Sequence, residues 1–161
     1  NDAYPTSVKI ALINSNKKGV MDNGMVSSEI VSDLVRIHDD RIVEYRHLLH
    51  EPDLALDIRA IFERIIEESL KYSQQLKEKL NEPPDGYGSI YKLWLSGKMP
   101  VADKNKKMIL ATCATDELIT NNTYSVAISM VSDEKLRQLL EEHQHGLKNL
   151  HAEIRQYYHA Q

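Results

Sequence analysis

The sequence predicts an all-α chain, a four-helix bundle made of two antiparallel helical hairpins joined by a long crossover that contains a short helix. Three observations carry this prediction. Breakers are scarce, with 6 Gly and 5 Pro in 161 residues. Pro83, Pro84 and Pro100 fall in one short region, which leaves long stretches open to helix. Four of these stretches carry apolar residues spaced about 100° apart around a helix axis. They are similar in length, and the connections between them run short, long, short.

Residues 1–26 stand apart as an N-terminal arm, where "SVKIALINSN" reads as a short strand and "KKGVMDNGM" as turns. The first helix is expected over 27–50, with Ser27 or Ser28 as N-cap. "EPD" at 51–53 breaks the chain, and Asp53 is placed to cap the second helix, over 54–80. That helix stops before "NEPPDGYG", because proline cannot continue it. "SIYKLWLS" forms the short helix of the crossover, with Trp94 turned inward. The third helix is expected over 103–130 and the fourth over 133–158, capped by Ser132. A long connection in the middle, able to travel the length of the bundle, is the ferritin-like arrangement.

Each helix is apolar towards its ends and polar near its middle. Ile30, Leu34 and Ile37 share a face with His38, Arg41 and Tyr45. Ile58, Ile61, Phe62 and Ile65 share one with Ser69 and Tyr72. Ile109, Leu110, Cys113 and Ala127 share one with Glu117, Thr120 and Tyr124. Leu136, Leu140, Leu147 and Ile154 share one with His143. Helices of matched length bring their midpoints to one level. His38, Arg41, Tyr45, Tyr72, Glu117, Tyr124 and His143 are therefore expected to meet in a buried polar network, since each unpaired buried polar group costs about 1–3 kcal/mol.

Glu117 occupies a position where periodicity calls for leucine. It could be a metal ligand, a catalytic acid or one end of an internal ion pair. Four-helix carboxylate proteins take two metals with a Glu from each of two helices and Glu-x-x-His from each of the other two, all facing inward. Glu44–His47 and Glu142–His145 match that spacing but lie on the first and fourth helices, with both histidines projecting outward. Glu63 and Glu67 also face out, and only Glu68 approaches the inner edge. Arg41 weighs the same way. A permanent guanidinium charge beside divalent cations is repulsive, whereas beside Glu117 it neutralises the carboxylate and can bond it bidentately. The expected role of Glu117 is the anion of a network around Arg41, with no cofactor and no catalytic residue. The alternative is a divergent di-metal site for iron or manganese, built from Glu117, His38, His143 and Glu68. A third reading places a small ligand beside Tyr45, Tyr72 and Tyr124.

Composition narrows the partners. The formal charge of −4 lacks the excess of basic residues that a nucleic-acid binder uses. A single cysteine excludes an intrachain disulfide and a multi-cysteine zinc site. No apolar run of about 18 residues is present to span a membrane. No secretory leader is read, and a cytoplasmic location is expected. Self-association stays open, and the protein partner is unassigned.

Five stretches carry a resemblance. They are "LVRIHDDRIVEYRHLL", "DIRAIFERIIEES", "GSIYKLWLSGK", "CATDELITNNTYSVAI" and "LLEEHQHGLKNLHAEI". Over residues 28–158 the chain resembles an uncharacterised ferritin-like four-helix-bundle family of bacterial proteins, with Cys113, Glu117 and Tyr124 at the family's spacing and His151 in the fourth helix. Asp116 stands where the family commonly has a glycine. The resemblance implies the bundle and its crossover but no reaction. Taken together, these readings point to a non-catalytic interaction or stress-related module.

Overall fold

The computed structural model describes residues 23–82, 86–98 and 105–160. Among these the chain is all-helical, with α1 (Asn23–Leu48), α2 (Leu56–Lys77), α3 (Ser89–Gly97), α4 (Lys106–Met130) and α5 (Glu134–His159). Residues 1–22, which hold most of the expected arm and its strand, lie outside the described residues.

The expected helices are all present, but three of the expected caps are not. α1 begins at Asn23, so Ser27 and Ser28 lie inside it. α2 starts after Ala55, whose side chain cannot cap, and Asp53 is left in the preceding turn. α5 is capped by Asp133 rather than Ser132. The Asp133 carboxylate accepts from the Lys135 and Leu136 N–H groups, satisfying donors that the first turn leaves free. Asn105 does the same for α4 through the Met108 N–H.

Cross-helix bonds fix the directions. Arg41 meets Ser69 while Asp39 meets Ser73, so α1 and α2 are antiparallel. His38 meets Tyr124 while Arg41 meets Glu117, so α1 and α4 are antiparallel too. Gln75 meets His143 and Arg64 meets Glu153, which sets α2 against α5. α2 and α4 therefore run the same way, and the connection over 78–105 has to return the chain from one end of the molecule to the other.

α3 lies on that return path, packed against α1 and α4. Its Trp94 is fully buried, and the indole N–H donates to Thr120 Oγ1 at 3.0 Å. Gly88 precedes α3 and has no side chain to cap it. Asp33 of α1 does so instead, with Oδ1 accepting from Gly88 N at 2.9 Å and Oδ2 from Tyr91 N at 3.0 Å. A Cβ at Gly88 would run into that carboxylate, which accounts for glycine there.

The interior is two apolar clusters with a polar layer between them. One gathers Leu34, Ile37, Leu76, Trp94, Ala127, Leu140 and Leu147. The other gathers Ile58, Phe62, Ile65, Leu110, Cys113, Leu150 and Ile154.

Candidate functional site: a buried polar layer

At the level where the two clusters meet, α1 contributes His38, Arg41 and Tyr45, one turn apart on its inner face. α2 contributes Ser69 and Tyr72, α4 contributes Glu117 and Tyr124, and α5 contributes His143. All are buried.

Arg41 and Glu117 form the charged centre, with side-chain exposures of 2% and 0%. A single guanidinium nitrogen, Nη2, serves both carboxylate oxygens, at 2.7 Å to Oε1 and 2.8 Å to Oε2. The bidentate pairing expected from the sequence would have used two nitrogens. Here Nη1 is instead committed to Ser69 Oγ at 2.7 Å. The Tyr45 hydroxyl donates to Glu117 Oε2 at 2.8 Å. Burial is the largest single influence on Arg41 and opposes its charge, but Glu117, Tyr45 and Tyr124 acting together outweigh it and hold the guanidinium above its ordinary range. Burial, with Glu117 next, drives the Tyr45 phenol well above its usual range, so it stays a donor.

From Arg41 a chain of hydrogen bonds crosses the interior in one direction. Ser69 Oγ accepts from Arg41 and lies 3.1 Å from His38 Nδ1. His38 Nε2 is 2.6 Å from the Tyr124 hydroxyl, which lies 3.0 Å from His143 Nδ1. His143 Nε2 is 2.7 Å from Gln75 Oε1. A carbonyl oxygen only accepts, so His143 carries its proton on Nε2 and presents a bare Nδ1. Tyr124 then donates to His143 and accepts from His38 Nε2–H. His38 Nδ1 is left bare and accepts from Ser69. Every hydrogen in this chain is placed once, provided both imidazoles are neutral. Burial favours that state. It lowers His38 well below its ordinary value, with Arg41 adding to the effect, and lowers His143 to about 4.

Of the seven residues expected in the network, six are joined by hydrogen bonds. Tyr72 is the exception. Its ring stacks on His143, with centroids 4.0 Å apart and planes at 20°, and it meets His38 edge-on. Its hydroxyl lies against Gly146 of α5, where a Cβ would overlap it. Burial, with Glu68 next, pushes that hydroxyl up to about 12. Three participants went unread in the sequence. Ser69 falls on the inner arc by periodicity, which names no partner for it. Gln75 follows Tyr72 by three residues and is reachable by helical spacing. Gly146 follows His143 by three and matters only because an aromatic ring closes on it.

The proposed metal alternative meets different surroundings. His38 and His143 spend both ring nitrogens within the chain, and both Glu117 oxygens are engaged. Glu68 Oε2 is buried without a hydrogen-bond partner, and burial raises its carboxyl above the usual range. His47, His145, Glu63, Glu67 and Glu142 are exposed, and Glu44 is paired with Lys98 at 2.6 Å. Among the described residues no group of three or more His, Cys, Asp or Glu is arranged to hold a metal ion. Burial raises the thiol of Cys113 as well, keeping it in its unreactive form. The space beside the three network tyrosines is filled by other rings, with Phe62 5.1 Å from Tyr45 and the imidazoles against Tyr72 and Tyr124. An open groove of about 620 Å³ lies elsewhere, lined by Ser28, Glu29, Asp33, Tyr87, Gly88 and Lys92 among others.

No described helix is long and apolar enough to cross a membrane. Comparison of the chain with protein-family models, with curated proteins and with solved structures finds no match in any of the three.

Proposed function

We propose that the chain is a non-catalytic, ferritin-like four-helix bundle, a cytoplasmic interaction or stress-related module of the bacterial type its sequence resembles. In this reading the buried Arg–Glu–His–Tyr layer sets which helices pair and in what register, and no metal takes part. One observation carries it: Glu117, His38 and His143 have each functional atom committed to another side chain of the layer. A site built for chemistry leaves at least one such atom facing a substrate or ion. A layer that satisfies itself instead penalises every helix arrangement that would separate its partners. Self-association through an outer face is compatible with this role.

The test is metal analysis of protein purified without chelators. The expected result is no stoichiometric metal, and iron or manganese at one or two equivalents would refute the reading. A second reading has one observation in its favour, the buried and unpartnered Oε2 of Glu68. In it Glu117, His38, His143 and Glu68 hold iron or manganese after Arg41 and Tyr124 swing away. It requires Glu117→Ala to abolish metal binding, a loss that the first reading has nothing to show for.

A further inference from the structure

Away from the polar layer, α3 and the residues before it carry a ladder of aromatic rings. Tyr87 stacks on Tyr91 with centroids 4.9 Å apart and planes at 16°. Tyr91 in turn lies 5.9 Å from Trp94. The outer rung, Tyr87, is 60% exposed, whereas Tyr91 and Trp94 are buried. The rungs differ in what they touch. The Arg36 guanidinium sits 4.9 Å from the Tyr87 ring centroid. The Tyr91 hydroxyl donates a hydrogen bond to the Asp40 carboxylate of α1. The Trp94 N–H donates to the Thr120 hydroxyl, which itself donates to the Asp116 carbonyl at 3.0 Å.

These contacts rank the rungs for loss of an electron. An oxidised phenol is a strong acid, and a phenol already bonded to a base can lose its electron and proton together, without passing through a cation. Tyr91 has such a base in Asp40. A positive charge on Tyr87 would face Arg36 and be repelled. Trp94 has only a hydroxyl to receive its proton, and a hydroxyl is a poor base. Tyr45 and Tyr124 also donate to a base, Glu117 and His143, but both are buried and neither is stacked on an exposed ring.

We propose that Tyr91 and Asp40 form a redox-active pair, reached from solvent through Tyr87, that takes up one-electron oxidation by small inorganic radicals such as the carbonate radical anion. The step balances. The radical anion gains one electron and becomes carbonate. That electron comes from Tyr91 by way of the Tyr87 ring. The Tyr91 O–H bond breaks and its proton passes to Asp40, leaving a neutral phenoxyl radical beside a carboxylic acid. The inference adds an activity to the fold and stands whether or not the non-catalytic reading of the polar layer does.

Pulse radiolysis of the intact chain, with carbonate radical as oxidant, tests it. The wild type should show a persistent phenoxyl absorption. Tyr91→Phe keeps the stacked ring and should lose the persistent phase, with Tyr87 coupling to give dityrosine-linked dimers. Asp40→Asn keeps an oxygen to accept the hydrogen bond but cannot take the proton. It should shorten the radical's life by about fivefold, the rate equivalent of one neutral hydrogen bond from a protonated carboxyl to the phenoxyl oxygen. An undiminished persistent phase in Tyr91→Phe overturns the proposal. Should that variant fail to fold, Asp40→Asn decides alone, and a decay equal to wild type overturns the proposal.

Discussion

Among the described residues two arginine–glutamate pairs join one helix to another, and their geometry and their surroundings point in opposite directions. Arg64 and Glu153 join α2 to α5 with two parallel bonds, Nη1 to Oε1 at 2.9 Å and Nη2 to Oε2 at 2.5 Å, the fork arrangement that suits the two groups best. Arg41 and Glu117 share a single nitrogen. Yet the first pair has side-chain exposures of 51% and 35%, and the second 2% and 0%. Water competes for the well-formed pair and is excluded from the other. The consequence of breaking a pair follows the solvent, not the number of parallel bonds.

The largest expected effect tests that statement directly. Glu117→Ala leaves the Arg41 charge buried and unpaired and should cost about 3–5 kcal/mol in denaturant unfolding. Replacing both partners with apolar residues, Arg41→Met with Glu117→Leu, should cost less than Glu117→Ala alone, because no charge is then left behind. Additive losses in the double variant would show that the desolvated charge is not the source of the cost.

Next in size is the acid sensitivity of His143. Its folded value of about 4 lies below the ordinary 6.5 of an unfolded histidine. Between those values the unfolded chain holds more protons, so acid favours unfolding. The contribution of His143 is fully present above pH 6.5 and is lost as the pH falls towards 4, by roughly 3 kcal/mol in total. Imidazole resonances read this site separately from the carboxylates. The His143 ring should remain neutral at pH 5, and a midpoint near 6.5 would sink the argument that burial governs it.

The smallest effect belongs to the exposed fork. Glu153→Ala should cost about 0–1 kcal/mol and become undetectable at high salt. A loss comparable to that of Glu117→Ala would collapse the contrast between the two pairs.

Much of this layer was legible in the sequence because it violates a pattern. A carboxylate on an apolar face is conspicuous, and Arg41 and Tyr45, one turn apart on another apolar face, supply the obvious partners. The helices were legible for the complementary reason, a period that repeats over many residues. What escaped was whatever carries no violation. Ser69 is small enough to be buried anywhere. Gln75 is only partly covered, so periodicity assigns it to the surface. Gly146 reads as a weak helix former until the Tyr72 ring is seen closing on it. Ser132 and Asp133 are both able to cap and the backbone turn selects the second, whereas α2 starts after Ala55 with no side-chain cap, a start that a search for capping residues cannot find. Glu153 and Arg64 are ordinary surface residues in sequence, and nothing in either helix alone says they meet.

The Asp33 bridge to the start of α3 has a consequence for the middle of the chain. Nine residues are too few to hold a helix in water unaided. The first turn of α3 is organised by a carboxylate 55 positions earlier in the sequence, on another helix. Its winding is thus a gauge of how α1 is seated: a shift of α1 along its axis would withdraw both acceptors together.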